Sequence, residues 1–289
     1  MKVDNAIIMA AGTSSRFAPL SYETHKGLIE VRGEILVERQ IRQLREAGIK
    51  DIIIVTGYKA DGFGYLREKF GVRLIHNPDF LVRNNNSSIH AVRNCLFNTF
   101  ICSVDNYFVD NPFSSEVDES YYAAQFSEGE TKEWCMTTDG HGYIDKVTIG
   151  GRNSWYMMGH TFWSRDFSRE FVRILDSVYD LESTRNLLWE DIYIKHLDTL
   201  KMKIRKYRKG DIFEFDTLDE LRVFDPSYVR DTRSTILKKI CLELNCDESD
   251  IRNIRKVKSD NNAADGFRFD ATSGHYSYRY ISQRLEKTL

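Results

Sequence analysis

Prolines are scarce in this chain, four in 289 residues, which excludes a Pro-rich extended linker between modules. Uninterrupted apolar runs of about eighteen residues are missing, so no membrane-spanning helix is expected. The N-terminus MKVDNAIIMAAGTSSR has too short an apolar stretch for a secretory leader, and Asp4 interrupts it. It reads instead as the first strand of a cytoplasmic protein. The five cysteines, Cys95, Cys102, Cys135, Cys241 and Cys246, are odd in number, scattered and never spaced as CxxC. That argues against a disulfide framework or a structural zinc site and for free thiols. Excess charge is lacking too: the formal net charge is −2, which leaves no broad basic surface for nucleic acid. Neither common glycine-rich phosphate signature, GxxxxGK[ST] or GxGxxG, occurs.

What is present points to a folded α/β protein. Hydrophobic residues make up 42% and charged residues 29%, enough to build a buried core. NAIIMAA, KDIIIVTGY, VRLIHN and TFICSVDNYF read as strands, the first two apolar on both faces as parallel sheets require. Between them, EILVERQIRQLREAG and ADGFGYLREKFG carry helical patterns that end at Gly48 and Gly71. SSIHAVRNCLF reads as a helix capped by Ser87 or Ser88. This alternation predicts a doubly wound, mostly parallel sheet, with a ligand site at the carboxyl ends of its strands. After Asp110 the pattern changes to shorter alternating strands at YYAAQF, KEWCMTTD, YIDKVTIG and SWYMMGHTFWS. Helices follow at FSREFVRILDSVY and TRNLLWEDIYIKHL, then strand, turn and strand at 201–217, and a last short helix at TLDELRVFD. A boundary near Pro226 divides a domain over 1–226 from a small α+β appendage over 227–289. The appendage opens with the helix STILKKICLELN, continues past Asp247-x-x-Asp250 (a weak form of the capping box) and ends in a polar turn and a hairpin.

The stretch IIMAAGTSSRFAPLSYETHKGLIEV raises the functional question. Gly12 lets the backbone approach a phosphate closely. Ala10, Ala11, Thr13 and Ser14 keep the loop slim enough for successive N–H groups to form an anion nest. Arg16 can fork onto two phosphate oxygens, and Lys26 supplies a point charge. Taken alone, one glycine among small residues also fits an ordinary strand-turn-helix unit, and the two cations also fit a solvated surface.

AAGTSSRF followed by HKGLIEV resembles the signature of the nucleotidyltransferases that activate sugars and alcohol phosphates, [LM]AAGxGxR followed by PKxLxxV. Ser14 stands where a second glycine is usual and His25 where proline is usual; His25 is expected to change only the stiffness of the loop. The resemblance implies a Rossmann-like, GT-A-like fold, a triphosphate cradled by Ala10 to Ser14, and phosphates held by Arg16 and Lys26. ICSVDNYF, EW before a strand, and IFEFDTLDEL resemble stretches of the bacterial CTP:phosphocholine cytidylyltransferases, in the same order up to Pro226. The chemistry so implied is transfer of CMP from CTP to a small amino-alcohol phosphate, with release of pyrophosphate. Magnesium would bridge the repelling oxyanions, with Asp105 and Asp216 as its carboxylate ligands and Glu214 and Asp110 as weaker candidates. Lys26, Arg16 and Asp105 are the expected catalytic groups. No covalent nucleophile is needed, and no histidine carries a Ser-His-Asp or Cys-His motif.

NNNSSIHAV corresponds to the family's base-recognition loop, where Asn85 or Ser88 would read a pyrimidine edge; a plain turn and N-cap is the alternative. For the acceptor, Trp134 lines up with an aromatic wall of the choline site, and Glu190 and Asp191 could supply negative charge. Against this, Leu188 stands where the family pattern has tyrosine, and Asn86 and Ser87 where it has aromatics. Fewer aromatics leave room for a primary amine. Phosphocholine is therefore the expected acceptor, with 2-aminoethylphosphonate or phosphoethanolamine as rivals. A non-catalytic nucleotide-binding module is the reading from another class.

The tail resembles the opening of choline-kinase-like lobes, but no H-x-D-x-x-x-x-N catalytic loop follows. Tyr276, Tyr278 and Tyr280 alternate on one strand face. They would either form a homo-oligomer contact or pack onto the main domain.

Overall fold

The computed structural model describes residues 1–258 and 264–288. They group into two compact units, one made of Met1–Gly12 and Leu36–Glu214, the other of Thr13–Ile35 and Phe215–Leu289. Residues 227–289 therefore share a unit with an N-terminal segment.

The first unit is built on a seven-stranded sheet. Its elements in chain order are β1 (Asn5–Ala10), α1 (Leu36–Glu46), β2 (Ile52–Thr56), α2 (Leu66–Phe70), β3 (Arg73–His76), α3 (Asn86–Ala91), β4 (Thr99–Ser103) and β5 (Asn106–Phe108), then β6 (Tyr121–Thr138), β7 (Ile144–Trp163), α4 (Arg165–Val178), α5 (Trp189–Ile194), β8 (Lys203–Tyr207) and β9 (Ile212–Glu214). The strand order is β8-β6-β7-β4-β1-β2-β3, while β5 and β9 pair separately. All five residues of β2 are buried, which explains their apolar run. β1 lies between β2 and β4, parallel to both, so the connections diverge there and the strand ends open a crevice. The core behind the sheet is aromatic. Trp163 of β7 meets Phe171 of α4 and Trp189 of α5, with ring centroids 4.6 and 5.1 Å away. Ser164 begins α4 by accepting the Phe167 N–H, the hydroxyl cap that favours such a start. His160 is wholly buried against the Tyr121 hydroxyl at 2.8 Å. Burial pushes its pKa down to about 3, so it is a neutral core residue.

Several local expectations change. The four short strands after Asp110 run together as two long ones of 18 and 20 residues. Their alternation breaks at left-handed Gly129, Gly150 and Asn153, and the ribbon folds back there. Cys135 is consequently paired with both Thr148 and Tyr156. The helix expected from Thr184 is a 3-10 turn followed by the six-residue α5. Neither Ser87 nor Ser88 caps α3. The Ser87 hydroxyl donates to the Asn84 carbonyl, and both hydroxyls accept from the Asn77 amide.

The second unit collects the turns Ser15–Phe17 and Lys26–Leu28, the helical turn Leu20–Glu23, α6 (Leu218–Phe224) and α7 (Thr235–Leu244). A four-stranded antiparallel sheet follows, β10 (Arg252–Lys258), β11 (Ala264–Ala271), β12 (Gly274–Arg279) and β13 (Arg284–Thr288). It replaces the single hairpin expected; the polar turn at 259–263 lies outside the described residues. Phe267 pairs with Tyr278 and Phe269 with Tyr276, and all four rings are buried. Tyr280 stacks on Tyr22 at 3.8 Å. The three tyrosines are thus packed inside their own unit. Among the described residues no helix is long and apolar enough to cross a membrane.

Candidate active site

In the first unit, β1 delivers buried Ala10 and Ala11 and then exposed Gly12. A Cβ at Gly12 would meet no atom within 4 Å, and its φ is not left-handed. The protein's own packing therefore does not demand glycine there. Gly57 behaves differently: a Cβ there would sit 2.8 Å from the Ala11 carbonyl, so this glycine lets β2 end against the loop.

Met9 is in register with Ser103, and the Val104 N–H donates to the Met9 carbonyl. That pairing sets Asp105 at the strand end next to the loop. The Asp105 carboxylate accepts the Ser103 hydroxyl at 2.6 Å. The turn is held from α1. Gln40 donates its amide to the Ser103 and Asn106 carbonyls, both at 2.8 Å, and Gln43 donates to the Phe108 carbonyl. These glutamines went unnoticed in the sequence. The signal was there, since both fall on the apolar face defined by Leu36, Val37, Ile41 and Leu44. Glu214 accepts from the Asn106 amide at 3.4 Å, and Asp110 is exposed beyond β5.

In the second unit, Ser14 has φ 47° and ψ 38°, a left-handed backbone that is unfavourable for a residue with a Cβ. Arg16 follows, its guanidinium 2.6 Å from one Asp216 oxygen; the Lys26 ammonium lies 3.8 Å from the other. Lys26 is 3% exposed and Arg16 63%, so one cation is set in the fold and the other reaches out. Lys26 starts a 3-10 turn in which the His25 ring accepts the Gly27 N–H at 3.1 Å. His25 therefore does more than alter stiffness, because its side chain fixes the turn that presents Lys26. Asp216 is anchored through its own N–H, which donates to Glu220 at 2.7 Å. Glu220 forms a capping box with Thr217 at the start of α6.

A second cluster lies in the first unit. The Asn85 side chain accepts the Trp189 N–H at 2.7 Å and donates to Glu190 at 3.1 Å. The Tyr122 hydroxyl donates to the other Glu190 oxygen at 3.3 Å, and its ring stacks on Trp189. Burial pushes the Glu190 carboxyl up to about 7, against the lowering effect of these hydrogen bonds. Asp191 reaches back to accept the Leu188 N–H at 2.7 Å, so it serves the helix start. Ser88 is buried on Asn77. Asn86 and Ser87, which stand where the family pattern has aromatics, are also buried, and Asn86 donates to the Thr184 and Leu187 carbonyls. Trp134 is half-buried on β6 beside buried Cys135. Tyr122 and Trp189 are members of the Glu190 cluster that sequence reading did not single out.

Comparison with known proteins gives the family of the chain. Residues 6–138 match the MobA-like NTP transferase domain. The choline-phosphate cytidylyltransferase of Streptococcus pneumoniae is 30% identical over 217 residues, 75% of this chain and 95% of that protein. The 2-aminoethylphosphonate cytidylyltransferase of Lancefieldella rimae is 35% identical over 234 residues, 80% of this chain and 95% of that protein. The solved CTP:phosphocholine cytidylyltransferase of S. pneumoniae has a TM-score of 0.74 at 30% identity, covering 78% of this chain and 99% of that one. The chain belongs to the nucleotidyltransferase family of these cytidylyltransferases.

The two departures from the nucleotidyltransferase signature now have physical reasons. Ser14 occupies a left-handed position, where glycine is the easier residue. His25 has φ −62°, the angle that proline would impose, so the backbone is kept and a side-chain cap is added. The donor chemistry also fits the Mg²⁺ that the family resemblance implies. Among the described residues no cluster of three or more His, Cys, Asp or Glu could hold a metal, but Mg²⁺ takes only one or two carboxylates and completes its shell with phosphates and water.

Proposed function

We propose that this nucleotidyltransferase passes CMP from CTP to a small amino-alcohol phosphate and releases pyrophosphate. The observation that carries the reading is the meeting of Arg16 and Lys26 at Asp216, just after the left-handed turn at Ser14. The exposed guanidinium can fork onto phosphate oxygens. The buried ammonium is a fixed charge for the phosphate at which the bond breaks. Ala10, Ala11, Gly12 and Thr13 give the triphosphate its close backbone approach. Asp105 and Asp216 are the proposed Mg²⁺ ligands, and the bound ion would offset repulsion between the acceptor oxyanion and the triphosphate. The 84–88 loop is the proposed base reader, with Asn85 and Ser88 sharing their present hydrogen bonds. We place the enzyme in the cytoplasm, a reading that its five free cysteines support.

Phosphocholine is the proposed acceptor, with Trp134 as the aromatic wall and Glu190 as the negative charge for the trimethylammonium group. Asp191 has a smaller part, because its carboxylate already serves the start of α5. A second reading, 2-aminoethylphosphonate, is favoured by the Glu190 surroundings. Tyr122 and Trp189 are buried and stacked on each other, and a primary ammonium can donate hydrogen bonds to Glu190 where a trimethylammonium cannot.

The test is pyrophosphate release with CTP and Mg²⁺, phosphocholine against 2-aminoethylphosphonate at equal concentration. The faster acceptor identifies the head group. Asp105→Ala should abolish turnover and leave the fold intact; an active, magnesium-dependent Asp105→Ala enzyme would overturn the assignment. CTP binding without release for any acceptor would mark a non-catalytic module.

A further inference from the structure

β4 passes into β5 through a two-residue turn, Val104 and Asp105. The carbonyls that bracket this turn belong to Ser103 and Asn106. One side chain holds both. The Gln40 amide, 1% exposed, donates one N–H to each at 2.8 Å. The reversed amide would set Oε1 against two carbonyl oxygens, so these bonds fix which end carries the nitrogen.

Each residue held in this way also hydrogen-bonds a carboxylate. The Ser103 hydroxyl donates to Asp105 at 2.6 Å, and the Asn106 amide to Glu214 at 3.4 Å. Asn106 is in register with Glu214 across the β5–β9 pair. Gln40 thus stands one residue behind two carboxylates that come from distant parts of the chain, all within the first unit. α1 gives it a rigid base, since Val37, Ile41 and Leu44 beside it are wholly buried. Gln43, on the same helix, makes a comparable buried bond, but to the Phe108 carbonyl at the far end of β5.

We propose that Gln40 is a positioning residue for the metal end of the site. It acts through Ser103 and Asn106, which set where the Asp105 carboxylate, and secondarily that of Glu214, points. Groups that orient metal ligands commonly govern ten- to a hundredfold in metal affinity. Without the Gln40 amide both carbonyls lose their clamp, and the turn that carries Asp105 gains freedom. The inference rests on the reading of Asp105 as a Mg²⁺ ligand and adds to it the side chain that holds this ligand in place.

The experiment is calorimetric binding of CTP to the full chain, in EDTA and in saturating Mg²⁺. Wild type, Gln40→Met, Gln43→Met and Asp105→Ala are compared at a temperature where circular dichroism shows each to be folded. The readout is the factor by which Mg²⁺ tightens CTP. Wild type should show such a gain, and Asp105→Ala should lose it. Gln40→Met should match wild type in EDTA and show a gain about tenfold smaller. Gln43→Met, which also loses a buried bond to a carbonyl, should keep the full gain. If Gln40→Met does not fold, Gln40→Glu takes its place, because a protonated buried carboxyl keeps one of the two donations; its gain should also be reduced. An undiminished gain in the Gln40 variant overturns the inference and leaves the proposed function standing. Equal loss in the Gln40 and Gln43 variants also overturns it, because that pattern means general damage along α1. A gain that survives in Asp105→Ala, or is missing in wild type, overturns the inference together with the metal reading on which it rests.

Discussion

Arg16, Lys26 and Asp216 on one side, and Glu190 with Asn85, Tyr122 and Trp189 on the other, show two ways to build a polar site. The first uses permanent charges. Two cations meet one carboxylate, and a short stretch of chain supplies both cations. The second uses a carboxyl that burial has pushed up to about 7, surrounded by neutral donors drawn from distant parts of the sequence. A fixed-charge cluster suits a ligand that is always anionic. A titrating carboxyl suits a ligand whose grip varies with conditions near neutrality.

The sharpest way to break this contrast is Lys26→Met. Pyrophosphate release should fall by roughly 10²–10³-fold, as when one fixed charge-stabilising group is removed, while circular dichroism stays that of the wild type. A near-normal rate would remove the fixed-charge cluster from the reaction. Next in size is Gly12→Ala. The added methyl meets no protein atom within 4 Å, so thermal stability should hold, while CTP affinity drops by about tenfold through steric exclusion of a close phosphate. Loss of stability without loss of affinity would make Gly12 a folding glycine only.

Glu190→Gln tests the titrating side. Below about pH 7 the wild-type carboxyl is protonated and gives a cationic acceptor little charge. Acceptor KM should therefore fall as pH rises through 7, and in Glu190→Gln that trend should flatten, with KM several-fold higher at about pH 8. Stability moves the other way. A carboxyl raised in the folded state holds its proton to higher pH than the unfolded chain does, so wild-type stability declines between about pH 4.5 and 7. Glu190→Gln should lose that decline in chemical denaturation at stepped pH. Smallest is Ser14→Gly, which relieves a left-handed serine and should stabilise the chain by about 1 kcal/mol in the same assay.

The meeting of Arg16 and Lys26 was half legible in the sequence because both cations occur within one short stretch, while the Asp216 carboxylate that joins them comes from far along the chain. The parallel sheet was legible for a similar reason, since buried strands such as Ile52–Thr56 announce themselves as apolar runs. The Glu190 cluster was only partly legible. Glu190 and Asn85 were picked out singly, but their hydrogen bond joins positions 105 residues apart, and nothing local marks such a pair. The burial of Asn86 and Ser87 was hidden for the same reason. They are polar in sequence, yet each is buried on partners that tertiary packing supplies. The ribbon of β6 and β7 was cut into short strands because its bulges read as ends. His25 was undervalued because a ring that caps its own turn leaves no periodic trace.

The stack of Tyr22 on Tyr280 and the adjoining Glu23 cap on α7 carry a thermodynamic obligation. One end of residues 13–35 meets the proposed nucleotide, and the other holds a helix and a sheet in place. If nucleotide binding orders that segment and the order extends through these contacts to the C-terminal sheet, an ordered sheet favours nucleotide binding to the same degree, because coupling between two sites is reciprocal. Amide exchange in Arg252–Lys258 and Gly274–Arg279 should slow when CTP is added, although most of those amides touch no ligand. The tail would then act as a gauge of nucleotide occupancy.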